Sequence, residues 1–98
     1  MESDLESTIE QRKDVLRRVK EGLIVRLNLY QIVNQIDDDT PLFGSGLKLD
    51  SVDATELLVM LDEEFGIQVS ESEDPFYLRS VNSLASFIIS RQTKTNKN

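Results

Sequence analysis

The sequence predicts an all-α domain of four helices, three main helices and one short one, with a long loop before the second. Apolar residues recur at helical intervals in three segments, 5–29, 51–65 and 81–88. Both prolines and three of the four glycines lie between or just after these segments. With 98 residues, the chain has room for a single core.

The first helix is predicted from an apolar stripe with basic residues on the other faces. Its members follow one another at intervals of four, seven, three, four and four: Leu5, Ile9, Leu16, Val19, Leu23 and Leu27. Gly22 marks either a bend or an end, so two shorter helices are the alternative. We expect Ile32, Val33 and Ile36 to close this region against the core.

A loop from Asp37 to Leu49 precedes the second helix, which should begin at Asp50 or Ser51. Asp50 is the expected N-cap, and Asp53 complements the positive end of the helix in the first turn. Gly66 suits the C-cap. The predicted core stripe of this helix is Leu57, Leu58, Leu61 and Phe65.

The sequence after Gly66 predicts one short helix and one longer helix. Ile67 and Val69 alternate with a polar residue and should turn into the core. The short helix runs from Pro75 to Arg79, capped by Asp74. The last begins near Val81, with a stripe of Val81, Leu84, Phe87 and Ile88. Residues 93–98 contain no apolar side chain, so we expect a domain over 1–92 and a disordered tail.

Charge is segregated along the chain. Residues 1–36 carry six acids and six bases, residues 37–74 carry twelve acids and one base, and residues 75–98 carry four bases only. The middle therefore holds a charge of −11, which disfavours nucleic acid and anionic membranes and favours partners with basic surfaces. We find no signal peptide and no apolar run long enough for membrane insertion, and expect a cytoplasmic monomer.

The residue inventory excludes most catalytic and metal chemistry. Without histidine or cysteine, a Ser-His-Asp triad and the familiar zinc sites cannot form. A calcium loop starting at Asp37 fails, because Leu42 stands at its required glycine and Lys48 at its terminal glutamate. We therefore expect no catalytic residues, no metal site and no enzyme activity.

Ser51 is the candidate functional residue, since Asp50 and Asp53 flank it where the loop becomes a helix. Serine at such a position is often only a helix cap. A phosphodiester attached there would meet free N–H groups and the positive end of the helix dipole. With no base to activate it, this serine suits modification by another enzyme.

A second face of the same helix is a candidate docking strip. Val52 and Val59 lie seven residues apart near Glu56 and Glu63, so a small apolar strip is fringed by carboxylates. Such a strip suits a partner with an apolar groove and an Arg/Lys rim. The alternative is that both valines simply widen the core stripe.

Five ordered segments together resemble the acyl carrier protein family in its free-standing bacterial form: Asp39–Phe43, Leu49–Asp53, Glu56-Leu57, Leu61–Ile67 and Ser80–Ile88. The resemblance covers about residues 15–89. It implies an up-down four-helix bundle and Ser51 as the site where 4′-phosphopantetheine from coenzyme A is attached, with a thioester-bound acyl cargo. It also implies partner recognition on the second helix, for which the matching or adjacent residues are Asp50, Val52, Asp53, Glu56, Val59 and Glu63.

The implied partners are a phosphopantetheinyl transferase and acyl-transferring and acyl-elongating enzymes with basic docking surfaces. Fatty-acid or polyketide-type synthesis is the expected setting, but the family also includes lipid A, peptide and D-alanine carriers, so cargo and pathway stay open. The alternative function is an acidic helical adaptor with no prosthetic group, which would have no reason to retain Asp50-Ser51. Two residues depart from the family pattern: Val52, where leucine is usual, and Lys48, where a small or neutral residue is usual.

Overall fold

The computed structural model describes residues 3–70 and 72–96, with side chains described for 9–70 and 72–92. Within these ranges the regular structure is all helical. Three α-helices, α1 (Ser3–Leu27), α2 (Ser51–Phe65) and α3 (Val81–Asn96), alternate with two 3₁₀ helices, η1 (Val33–Gln35) and η2 (Pro75–Leu78). The predicted helical domain is confirmed, and its short member is a 3₁₀ helix. No helix in the described part of the chain is long and apolar enough to cross a membrane.

The core lies where α1 packs against both α2 and α3, with η2 packed on α3. It is lined by apolar side chains, and the largest fully buried ones are Leu23, Leu42, Leu57, Met60, Leu61, Leu84 and Ile88. Burial of each such side chain contributes on the order of 1.5–3 kcal/mol. Apolar packing between α1 and α2 therefore fixes the position of α2, which carries the candidate site.

Gly22 lies inside α1, which runs through it without ending. A Cβ at Gly22 would stand 2.5 Å from Met60 Sδ, so only a hydrogen fits between the α1 backbone and this fully buried side chain of α2. The glycine therefore permits close packing of two helices, and the alternative of two shorter helices is wrong.

Two core assignments from the sequence are wrong. Leu58 is 38% exposed, and Met60, which is fully buried, faces the core instead. The buried face of α2 is centred on the side that meets Gly22, which turns Leu58 outward. Ile32 is 62% exposed because it precedes η1 in an extended conformation, whereas Ile36 after η1 is buried as expected.

The chain after Gln92 also differs from the expectation. Helix α3 continues to Asn96, so residues 93–96 of the predicted tail have helical backbone. Neither glycine nor proline is present there to stop a helix. The last two residues of the predicted tail lie outside the described residues.

The loop before α2 is held by backbone hydrogen bonds. Leu42 N–H donates to Arg79 C=O (3.2 Å), and Leu49 N–H donates to Leu42 C=O (3.0 Å). Leu47 N–H donates to Pro41 C=O (2.9 Å), and a Cβ at Gly46 would collide with that same oxygen at 1.9 Å. The loop is thus tied to the junction of η2 and α3, and it leads into α2 along a fixed path.

Candidate functional site

The N-terminus of α2 is closed by a reciprocal pair of aspartates. Asp50 Oδ1 accepts a hydrogen bond from Asp53 N–H, and Asp53 Oδ2 accepts one from Asp50 N–H, both at 3.0 Å. This capping box satisfies one backbone donor at each position. The predicted N-cap is confirmed, and both carboxylates hold the start of the helix.

Ser51 is the first residue of α2 and is exposed. Because Asp50 occupies the N-cap, the cap interpretation of Ser51 is not needed. Within the described ranges the Ser51 hydroxyl makes no hydrogen bond, and the backbone N–H groups of Ser51 and Val52 have no acceptor. The hydroxyl is therefore accessible beside two free N–H donors at the positive end of a 15-residue helix.

Lys48 and Leu49 lead into this helix start with contrasting roles. Leu49 is buried and anchors the loop to the core. Lys48 is exposed and adopts a left-handed backbone conformation with φ of 61°, which is costly for any residue with a Cβ. Glycine, which has no Cβ, would adopt this conformation without that cost.

The outward face of α2 exposes apolar side chains among polar and acidic ones. Val52 is 75% exposed and Val59 39%, so the alternative that they widen the core is wrong. Leu58 extends the same surface. A groove of about 430 Å³ lies beside it, lined by Thr55, Leu58, Val59, Asp62, Glu63, Gln68 and Val69.

Arg26 of α1 makes ion pairs with three glutamates of α2, an arrangement that the sequence did not predict. Its Nη1 lies 3.1 Å from Glu56 Oε2, its Nη2 2.7 Å from Glu63 Oε1, and its Nε 3.1 Å from Glu64 Oε2. Hydrogen bonds to Glu63 first, then to Glu64 and Glu56, raise the pKa of the Arg26 guanidinium and outweigh its partial desolvation. We call Arg26, Glu56, Glu63 and Glu64 the Arg26 cluster.

The predicted site residues are thus brought together on one helix but differ in their partners. Val52 and Val59 are exposed on the outward face, Asp50 and Asp53 cap the helix, and Glu56 and Glu63 join the Arg26 cluster. The sequence signal for that cluster was the excess of acids in residues 37–74, twelve against one base, beside a first region that contains six bases.

The site offers an accessible nucleophile without a base to activate it. Among the described residues, the neighbouring carboxylates of Asp50 and Asp53 accept backbone hydrogen bonds instead of contacting Ser51. Deprotonation of the hydroxyl must therefore come from a second protein. The free N–H groups and the helix dipole fit a phosphate group on this oxygen.

Comparison with known proteins agrees with this chemistry. Residues 23–88 match the protein family described as "Phosphopantetheine attachment site". The chain is 34% identical over 74 residues to an acyl carrier protein of Solidesulfovibrio magneticus, an alignment that covers 76% of this chain and 90% of the relative.

The chain belongs to the acyl carrier protein family. It is a carrier protein and not an enzyme, and its prosthetic group is covalently attached 4′-phosphopantetheine. When attached, the arm supplies a terminal thiol that holds an acyl group as a thioester. Members of the family interact with a phosphopantetheinyl transferase and with acyl-handling enzymes.

Proposed function

We propose that Ser51 is the residue that carries the phosphopantetheine arm, and that the protein carries acyl intermediates in cytoplasmic fatty-acid or polyketide-type biosynthesis. The observation that carries the proposal is the state of Ser51 Oγ, exposed and without a hydrogen bond among the described residues at the first position of α2. Ser45, the other serine of this region, lies in the loop with no helix start beside it.

The attachment reaction assigns each part of the site a role. Ser51 Oγ loses its proton to a base of the transferase and forms a bond to the phosphorus of coenzyme A that bears the pantetheine arm. The bond from that phosphorus to the bridging oxygen breaks, and adenosine 3′,5′-bisphosphate leaves with the electron pair. The free N–H groups of Ser51 and Val52, at the N-terminal end of α2, would offer hydrogen bonds to the negatively charged phosphate.

Partner recognition belongs to the same proposal. Exposed Val52 and Val59 support an apolar contact with the transferase and the acyl-handling enzymes. Asp50 and Asp53 act by fixing the start of α2, which places Ser51 against a docked partner. Glu56 and Glu63 supply negative charge, although each is already paired with Arg26.

Intact mass spectrometry after incubation with coenzyme A and a broad-specificity phosphopantetheinyl transferase tests the attachment site. The wild-type chain and Ser45→Ala should each gain one phosphopantetheine, and Ser51→Ala should gain none. The helical circular dichroism of all three should match. An arm found on Ser51→Ala, or no arm on the wild type, contradicts the proposal.

The pathway is tested on the chain once it carries its arm. Incubation with malonyl-coenzyme A and a malonyl-transferring enzyme should add one malonyl group, as fatty-acid and polyketide-type synthesis requires. An arm that forms but accepts no malonyl group would contradict the pathway and leave the carrier role intact.

A further inference from the structure

The acidic surface of α2 is partly occupied from inside the molecule. The three nitrogens of the Arg26 guanidinium each bind a different glutamate, at 2.7 to 3.1 Å. Arg26 is 20% exposed, whereas Glu56 is 40% and Glu63 60% exposed, so the carboxylates reach solvent while the cation lies between the helices. A protein that docks on α2 with basic groups meets carboxylates that already have a cationic partner.

Arg26 is suited to this arrangement by shape as well as by charge. The guanidinium is planar and presents donors in a fixed fork, so one side chain can bind Glu56, Glu63 and Glu64 at once. The cluster combines three negative charges with one positive charge. It retains a net charge of −2 that attracts a basic partner over a distance, but one oxygen of each carboxylate is occupied.

We propose that Arg26 is a specificity-determining residue that competes, within the molecule, with the basic groups of a docking phosphopantetheinyl transferase for Glu56 and Glu63. The proposal rests on the proposed function, in which α2 is the docking helix. Partners that bind mainly through Val52, Leu58 and Val59 are then favoured over partners that need an array of free carboxylates.

Asp62 is a carboxylate of α2 that lies outside the Arg26 cluster. It is exposed beside Leu58 and Val59 in the groove of α2, and among the described residues it has no ion-pair partner. The same groove is also lined by Glu63, whose Oε1 is bound by Arg26. Leu58, Val59 and Asp62 are therefore the part of this groove that a partner can contact without displacing Arg26.

The test compares binding of a broad-specificity phosphopantetheinyl transferase, without coenzyme A, to the wild type and to Arg26→Lys. Lysine keeps the net charge, but its three N–H donors share one nitrogen, so it does not reproduce the planar fork that spreads over Glu56, Glu63 and Glu64. Arg26→Lys should bind about threefold more tightly or better, mainly through slower dissociation, since exposed ion pairs are individually weak. Arg26→Gln should bind more tightly as well, with faster association and a steeper dependence on salt.

Arg17 provides the matched control, because it pairs with Asp14 (2.6 Å) and Glu21 (3.5 Å) inside α1 and, among the described residues, makes no ion pair with α2. Arg17→Lys should leave transferase affinity unchanged. Thermal unfolding followed by circular dichroism establishes that each variant is folded at the temperature of the binding measurement.

A second comparison applies even if Arg26→Gln does not fold. Glu63→Gln should weaken transferase binding only slightly in the wild-type background, where Arg26 occupies Glu63, and more strongly in the Arg26→Lys background.

Equal losses of affinity in both backgrounds, or unchanged or weaker binding by Arg26→Lys, overturn the proposal. If Arg26→Lys binds like the wild type while Ser51 still receives the arm, only the competition is wrong. If the wild type receives no arm, the proposed function fails, and the competition fails with it.

Discussion

Asp50 and Asp53 cap α2 reciprocally, each with a side-chain oxygen 3.0 Å from the backbone nitrogen of the other. The aspartate that precedes the proposed attachment serine is thus part of the helix N-terminus. The cap occupies Asp50 and fixes the start of α2, and the Ser51 hydroxyl remains accessible at the first position of the helix. In the proposed function, Asp50 therefore positions the start of the helix and Ser51 receives the arm.

Asp50→Ala should lower the free energy of unfolding by about 1 kcal/mol, because it removes the acceptor for Asp53 N–H. Asp50→Asn keeps a side-chain oxygen at this position and should retain most of that stability. Urea denaturation followed by circular dichroism measures both. Equal destabilisation of the two variants would show that the negative charge at the helix end matters more than the hydrogen bond.

Features set by short-range chemistry were predictable from the sequence. The cap at Asp50, the start of α2 at Ser51 and the left-handed C-cap at Gly66, with φ of 69°, each depend on residues a few positions apart. The Asp74 cap of η2, which accepts from Phe76 N–H, is of the same kind. The Asp50 cap and the helix start at Ser51 are also the features from which the candidate site was proposed.

Features set by contact between helices could not be predicted in this way. Periodicity placed Leu58 in the core, but the close approach of α1 at Gly22 turns Met60 inward instead. Similarly, Glu56 and Glu63 were expected to be free docking acids, and only the position of Arg26 on α1 shows that they are paired. A stripe on one helix does not specify which residue of another helix it faces.

Gly22→Ala tests the packing of α1 against α2. Alanine favours the helix by about 1 kcal/mol over glycine, but its Cβ would lie 2.5 Å from the buried Met60 Sδ. Overpacking of a core costs about 1–3 kcal/mol, so we expect a net loss of stability. Thermal or urea unfolding measures it, and a variant more stable than the wild type would mean that Met60 moves aside freely.

A double-mutant cycle assigns that loss to the contact. Met60→Ala alone should destabilise the domain by about 2–5 kcal/mol, since it leaves a cavity. In the Gly22→Ala background it should cost less, because the added methyl group fills part of the space. Additive losses would place the cause of the Gly22→Ala effect elsewhere.

Tyr77 makes stability sensitive to alkaline pH. Burial first, and then the negative charge of Glu73, raise the pKa of the Tyr77 hydroxyl above 10.0, with Arg91 acting in the opposite direction. As pH rises past about 10, the unfolded chain therefore releases this proton before the folded chain does. The stabilising contribution is complete below that pH and is lost as pH rises towards the folded-state pKa.

Tyr77→Phe should accordingly show a shallower fall in unfolding free energy across this alkaline range than the wild type. The aromatic stacking on Phe87, with ring centroids 4.4 Å apart, is retained in the variant. Tyr30→Phe is the matched control, because Tyr30 is 91% exposed, and its profile should follow that of the wild type. The Tyr77 assignment does not hold if the two variants have the same slope.

Lys48→Gly should stabilise the domain. Lys48 adopts φ of 61°, a conformation that costs a residue with a Cβ about 1–2 kcal/mol and costs glycine almost nothing. Glycine also raises the conformational entropy of the unfolded chain, which lowers stability by about 0.5–1 kcal/mol. The net gain in the free energy of unfolding should therefore be about 0.5–1 kcal/mol.

Lys48→Ala is the control, because it removes the same charge but keeps the strained conformation, and it should give no such gain. Urea denaturation of the three proteins separates the two causes: equal stabilisation by glycine and alanine would assign the effect to the charge beside Asp50, and stabilisation by glycine alone would assign it to the backbone.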